Sequence, residues 1–170
     1  MKQMARFEKV TLDQFTKDWQ NLWDDEIITI QEIYDYIKLP KRATSGSAGY
    51  DFFLPMDIIV NPNESILIPT GIRVHIENGW VLKIYPRSSL GFKYRIQLDN
   101  TVGIIDSDYF YAENEGHIMI KLTNDSKEEL VCELDEGKAF AQGVFIEYGI
   151  TFDDDAVDQR IGGFGSTDIG

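Results

Sequence analysis

From Ile27 onward the chain is a succession of short apolar runs separated by turn residues, and that pattern leaves room for little but antiparallel β structure. IITI, DIIV, SILI, IRVHI, WVLKIY, GHIMIKL, ELVCEL and AFAQGVFI all have strand length. Asn61-Pro62-Asn63, Glu77-Asn78-Gly79 and Glu136-Gly137 punctuate them. No helical pattern separates successive runs to carry a parallel crossover, so the expected fold class is all-β, as a sandwich, jelly roll or barrel. Ahead of the strands, TLDQFTKDWQNLW (residues 11–23) places Leu12, Phe15, Trp19, Leu22 and Trp23 on one helical face, with Thr11 and Gln14 arranged as a capping box. It is the only helix this reading predicts. After about Asp153 the chain reads DDDAVDQRIGGFGSTDIG, Gly-rich and without strand pattern. The expected organisation is a helical extension over 1–26, a β domain over 27–152 and a flexible C-terminal arm over 153–170.

Sixteen Lys and Arg face 29 Asp and Glu, a net charge of −13. That balance repels nucleic acid and anionic membrane as general partners, so an anionic ligand would need a local basic pocket or a metal cation. Cys132 is the sole cysteine, which excludes an intrachain disulfide and a zinc site built on several thiolates. It reads as a core thiol. The N-terminus lacks an apolar leader and no run approaches 18 apolar residues; the expectation is a soluble cytoplasmic protein.

Neither a GxxxxGK[ST] loop nor a dinucleotide-binding glycine fingerprint is present. Phosphate would have to be held by other means. PRSSLG (86–91) offers a guanidinium, two hydroxyls and several amides, a composition that suits a tetrahedral anion and equally suits a strand-ending turn. In NTVGIIDSDY (100–109) the apolar stretch Val102, Ile104, Ile105 ends abruptly in Asp106. A carboxylate is thereby carried to the rim of a buried element, as a general base, a metal ligand or a turn cap. His75 and His117 alternate with Ile and are expected on the polar faces of strands. In the tail, Arg160, Phe164, Ser166 and Thr167 lie among glycines, a combination that suits a nucleotide.

AGYDFF (48–53), PRSSLG (86–91), NTVGIIDSDY (100–109), GKAFAQGVF (137–145) and GGFGST (162–167) together resemble, in order, the five motifs of the trimeric dUTPases, over roughly residues 39–167. The resemblance implies a jelly-roll-like distorted β barrel that forms a homotrimer, with active sites assembled from different subunits. It implies hydrolysis of dUTP to dUMP and pyrophosphate by water attacking the α-phosphorus in line, with Asp106 as general base. Asp51 would sit near a triphosphate-bound Mg²⁺, reached through water. Arg87, Ser88 and Ser89 would meet the phosphates, with Ser89 standing where the family usually has Gly. Asn100, with main-chain groups around Gly103 and Ile105, would read the uracil edge, and Tyr109 would lie against the deoxyribose where a 2′-hydroxyl would clash. Gln142 would hold the phosphates or the water, or play a purely structural part. Phe164 would stack on uracil as the arm closes, with Arg160, Gly165, Ser166 and Thr167 around the phosphates.

Three features depart from the family pattern. FYAENE (110–115) intervenes before Gly116-His117-Ile118, Arg160 lies one residue closer to Phe164 than is usual, and Asp168 follows Thr167 where Gly is common. The insertion at 110–115 reads as a tolerated surface insertion and the N-terminal helix as packed on its own barrel, with docking of a protein partner the sharper alternative for both. The nearest rival enzyme, dCTP deaminase, shares the fold and would be expected to differ after the Ile105-Asp106 pair.

Overall fold

The computed structural model describes residues 2–158 and Gly162. Its strands are β1 (Ala5–Lys9), β2 (Lys41–Arg42), β3 (Tyr50–Phe53), β4 (Ile58–Val60), β5 (Ser65–Pro69), β6 (Ile72–Ile76), β7 (Trp80–Pro86), β8 (Ile96–Leu98), β9 (Gly103–Ile105), β10 (Met119–Asn124), β11 (Cys132–Leu134) and β12 (Ala139–Glu147). The helices are α1 (Leu12–Gln20), α2 (Ile27–Tyr36) and α3 (Ser88–Tyr94), with a 3-10 turn over Ser107–Tyr111. Strand order is β1-β6, β5-β10-β8, β11-β4 and β2-β3-β12-β7-β9, every pair antiparallel. The all-β class holds, as a distorted jelly-roll-like arrangement of open sheets among the described residues.

Alternation drives the packing: Ile72, Val74 and Ile76 of β6 are buried while Arg73 and His75 are partly exposed. Ile120 and Leu122 of β10 point to the same core. Each such fully buried aliphatic contributes roughly 1.5–3 kcal/mol relative to exposure. Cys132 is buried, and burial pushes its thiol above the ordinary value, as befits a core residue.

The N-terminal residues belong to this core. β1, which the strand pattern did not predict, pairs along β6 from Ala5↔Ile76 to Lys9↔Ile72. α1 starts where the capping pattern predicts: the Thr11 hydroxyl accepts from the Gln14 N–H at 3.2 Å. Phe15 and Trp19 are fully buried beside Ile30, Ile37 and Ile72. Residues before and after Glu26 thus share one cluster.

Two expected elements differ. IITI, read as the first strand, opens α2, because Ile30, Ile33, Tyr34 and Ile37 repeat at helical spacing and face the core while Ile27 and Ile28 stay exposed. Packing against α1 outweighs the strand preference of β-branched residues. PRSSLG is neither loop nor turn alone: Ser88 begins α3, which buries Leu90 and ends on Arg95 in the left-handed region at φ 54°.

His117 corrects a further expectation, since it is fully buried rather than on a polar face. Its Nε2 accepts the Gly71 N–H at 2.8 Å, so Nδ1 carries the ring proton and donates to Asp18 of α1 at 2.6 Å. Burial works to raise the Asp18 carboxyl, but hydrogen bonds from His117 and Gln14 outweigh it and hold the group below the usual range.

The 110–115 insertion is tied to the same helix. Glu115 accepts from Thr11 N at 2.8 Å and from the Thr11 hydroxyl at 2.7 Å, taking the reciprocal part of the capping box while Gln14 donates to Asp18 instead. The insertion and the N-terminal helix thus meet each other within the chain. Gly116 closes the insertion at φ 71°, where an added Cβ would lie 2.6 Å from the Tyr109 carbonyl oxygen and 2.8 Å from the Phe110 Cα. Both obstacles are backbone, so the turn itself must move. Gly116→Ala is expected to cost about 2–4 kcal/mol in urea unfolding, combining left-handed strain with overpacking. A loss under about 1 kcal/mol would show that this turn relaxes freely.

Candidate active site

Three of the expected motifs converge at one end of the five-stranded sheet. On β12, Gln142 pairs in register with Asp51 of β3 on one side and with Tyr85 of β7 on the other. Arg87 follows β7 directly, and its Nε lies 3.5 Å from Asp51 Oδ1, with both side chains partly open to solvent. Gln142 Nε2 donates to the Pro86 carbonyl at 3.2 Å, which gives this half-buried amide a structural partner. Gly49 lets the segments close: a Cβ there would meet Gln142 Oε1 at 2.7 Å. Ser88 and Ser89 are exposed beside this cluster, at the start of α3. A guanidinium, two hydroxyls, an amide and a carboxylate are therefore gathered at a single edge.

The donor set there suits a hard cation held mainly by a ligand. Asp51 supplies carboxylate oxygen, and among the described residues no group of three or more His, Cys, Asp or Glu could cage an ion. Most ligands of an ion at Asp51 would have to be phosphate oxygens and water, which is how magnesium is commonly bound.

The segment 96–105 builds a different feature. Here β8 joins β10 and β9 joins β7, so the stretch crosses from one sheet to another. Thr101 makes the turn at φ 66°, its N–H donating to the Leu98 carbonyl. Between the sheets opens a cavity of about 390 Å³, lined by Asn100, Gly103, Ile105, Asn114, Ile84 and Met119 among others, a size typical of small-molecule sites. Asn100, Gly103 and Ile105 thus share one pocket. At its wall Asp99 accepts from Lys121 at 2.7 Å and from the Thr123 hydroxyl. Burial favours a higher value for Asp99, but these hydrogen bonds and the Lys121 charge outweigh it and hold the carboxyl below the usual range.

Asp106 follows Ile105 out of that cavity in extended conformation (φ −78°, ψ 160°) and precedes the 3-10 turn. Its carboxylate makes no capping bond to that turn; the Asp106 carbonyl accepts from Tyr109 N at 3.2 Å instead. Ser107, next in the chain, lines a second cavity of about 640 Å³ with His75, Asn78 and Asp108. Tyr109 is 2% exposed, its hydroxyl donating to the His117 carbonyl at 2.7 Å and accepting from Asn114 Nδ2 at 2.8 Å.

The cavity wall reaches within three residues of Arg87, where Ile84 pairs with Gly103, but the strand then runs away from it: Ile105, which precedes Asp106, pairs with Leu82, five residues or about 17 Å of strand from Arg87. Arg160, Phe164, Gly165, Ser166 and Thr167 lie outside the described residues. Asn114, Glu115, Asp18 and the Asp99–Lys121 pair were missed from sequence. Asn114 and Glu115 stand in an insertion without periodicity, and the buried role of His117 was hidden by its alternation with Ile.

Fold and site define a jelly-roll-like β protein with a cavity walled by two sheets, from which the chain passes directly to a carboxylate. A family model described as dUTPase matches residues 35–168. A deoxyuridine 5'-triphosphate nucleotidohydrolase of Lactococcus lactis subsp. lactis is 41% identical over 134 residues, 77% of this chain and 88% of that protein. The crystal structure of dUTPase from Streptococcus mutans has a TM-score of 0.63 at 32% identity, covering 85% of this chain and 97% of that one. A mutant dUTPase from phage phi11 of S. aureus shares the fold, with a TM-score of 0.57 at 20% identity over 72% of this chain and 89% of that one. The chain belongs to the dUTPase family. Among the described residues no helix is long and apolar enough to cross a membrane.

Proposed function

We propose that this chain hydrolyses dUTP to dUMP and pyrophosphate in sites shared between subunits of a homotrimer. The observation that carries the reading is the division of labour along β7. The Asp51, Arg87 and Gln142 cluster stands at one end, and the cavity of Asn100, Gly103 and Ile105 leads to Asp106 at the other. Matching a nucleotide's phosphates and its base to these two ends is difficult within a single chain. It becomes natural when a neighbouring copy supplies one of them, as closed cyclic symmetry allows.

In the proposed mechanism, uracil enters the cavity between the sheets. Asn100 and main-chain groups around Gly103 and Ile105 read its edge, rejecting cytosine because donor and acceptor are reversed. Tyr109 forms the wall on the sugar side. Asp106 takes a proton from water as the water oxygen bonds to the α-phosphorus in line. The bond from that phosphorus to the bridging oxygen breaks, and pyrophosphate leaves. Arg87, Ser88, Ser89 and Gln142 of the other end orient the phosphates, and the Arg87 charge meets the charge developing on the leaving group. Mg²⁺ bound to the triphosphate, with Asp51 in its outer water shell, would neutralise phosphate charge; the phi11 structure concerns coordination of a structural Mg(II) ion in that protein. The motif resemblance assigns Phe164 to the base and Arg160, Gly165, Ser166 and Thr167 to the phosphates.

Pyrophosphate release over dUTP, dCTP, dTTP and UTP, with magnesium and after chelation, tests this reading. A preference for dUTP of at least about 10²-fold and loss of turnover on chelation are expected. Comparable turnover of dCTP, or ammonia released from it, would overturn it.

A further inference from the structure

The 110–115 insertion is more than a loop on the surface. Ala112 is buried, Glu115 is bonded to the N-cap of α1, and Gly116 holds a conformation that a side chain would obstruct. Within it stands Asn114, half-buried, on the wall of the cavity that also holds Asn100. Both ends of the Asn114 amide are committed. Oδ1 accepts from Gly116 N at 3.2 Å, which leaves Nδ2 to donate to the Tyr109 hydroxyl at 2.8 Å. That hydroxyl donates in turn to the His117 carbonyl at 2.7 Å. A phenol has one hydrogen to give and two lone pairs. The donated bond fixes where its hydrogen points, and the accepted bond fixes the oxygen from a second direction, so the end of the ring is pinned at two points.

We propose that Asn114 is a positioning residue: through the Tyr109 hydroxyl it sets the ring that forms the sugar-side wall, and so governs deoxyribose over ribose selectivity. This rests on the reading of Tyr109 given above. A loose ring could yield to a 2′-hydroxyl; a ring held from two directions cannot yield without breaking a hydrogen bond. Because Asn114 is anchored by Gly116, and its neighbour Glu115 by Thr11, the N-terminal helix braces this wall as well.

Asn114→Asp separates the two ends of the amide. The carboxylate still accepts from Gly116 N but has no N–H to give Tyr109, and the phenol's one hydrogen can go to the carboxylate or to the His117 carbonyl but not to both, so one of the two bonds that hold the ring is lost. Steady-state kcat/KM for dUTP and UTP is measured for the full-length wild type, Asn114→Asp, Tyr109→Phe and the double variant. The dUTP/UTP ratio is expected to fall about tenfold in Asn114→Asp, as for a lost hydrogen bond, at least as far in Tyr109→Phe, which loses both bonds of the hydroxyl, and no further in the double variant than in Tyr109→Phe. An unchanged ratio in folded Asn114→Asp would overturn the proposal. So would single effects that multiply in the double variant, or a KM raised equally for both nucleotides, which would make Asn114 a direct substrate contact. Should Asn114→Asp not fold, Asn114→Ser takes its place in the same cycle. A wild type that hydrolyses dUTP and UTP alike would instead overturn the Tyr109 reading itself.

Discussion

Asp106→Asn is expected to lower kcat for dUTP by about 10²–10⁴-fold while leaving the protein folded and able to bind the nucleotide. Asparagine has the shape of aspartate but cannot take a proton from water, so the substitution removes the base with little change in volume. The structure gives reason to expect the fold to survive. The Asp106 carbonyl serves the 3-10 turn by accepting from Tyr109 N, a backbone bond that the substitution keeps. A buried neighbour, Ile105, keeps the strand in place through its pairing with Leu82. Single-turnover pyrophosphate release and calorimetric binding of a non-hydrolysable dUTP analogue would be measured side by side. Full activity in the variant would remove Asp106 from the chemistry; lost binding together with lost activity would make it a binding residue instead.

The second large effect concerns assembly. Arg87→Ala and Asp106→Asn preparations, each nearly inactive alone, are expected to recover activity when unfolded together and refolded as a mixture. If a site draws Asp106 from one subunit and Arg87 from another, random assembly leaves both residues intact in about a quarter of the sites. Recovery to about that fraction of the wild-type rate would support shared sites. A mixture as inactive as its components would place both residues of each site on one chain. The geometry that motivates the experiment is the separation of about 17 Å along β7 between the Leu82↔Ile105 pairing and Arg87. The same experiment with Asp51→Asn in place of Arg87→Ala should behave alike, since Asp51 and Arg87 form one ion pair.

Much of the site was legible because its residues sit in short, chemically distinctive stretches. The abrupt end of Val102-Gly103-Ile104-Ile105 in Asp106 marked a rim carboxylate, and the structure puts Gly103 and Ile105 on a cavity wall with Asp106 just beyond. The pairing of Asp51 with Arg87, and the register of Gln142 beside Asp51 and Tyr85, follow from motifs far apart in sequence that only strand register brings together. IITI misled because a four-residue window of β-branched residues cannot reveal a helical repeat that runs on to Ile37. His117 misled for a related reason. Alternation predicts faces only for residues inside a regular strand, and His117 precedes β10, turned inward to meet Asp18 and Gly71.

Local pattern, by itself, determined that this chain is built of short antiparallel strands, that a capped amphipathic helix begins at Leu12, and that its polar chemistry resembles that of the dUTPases. Those properties depend on residues within a few positions of one another, where turn chemistry and side-chain periodicity act directly. Tertiary structure alone decided that Asp51, Arg87 and Gln142 gather at the Pro86 end of β7 while the chain leading to Asp106 leaves towards its Trp80 end, that Glu115 completes the cap of α1, and that Asn114 bonds Tyr109. Each of those facts rests on register between segments distant in the chain. Shifting a strand by one residue would turn its side chains to the other face, and no short window of sequence contains that choice.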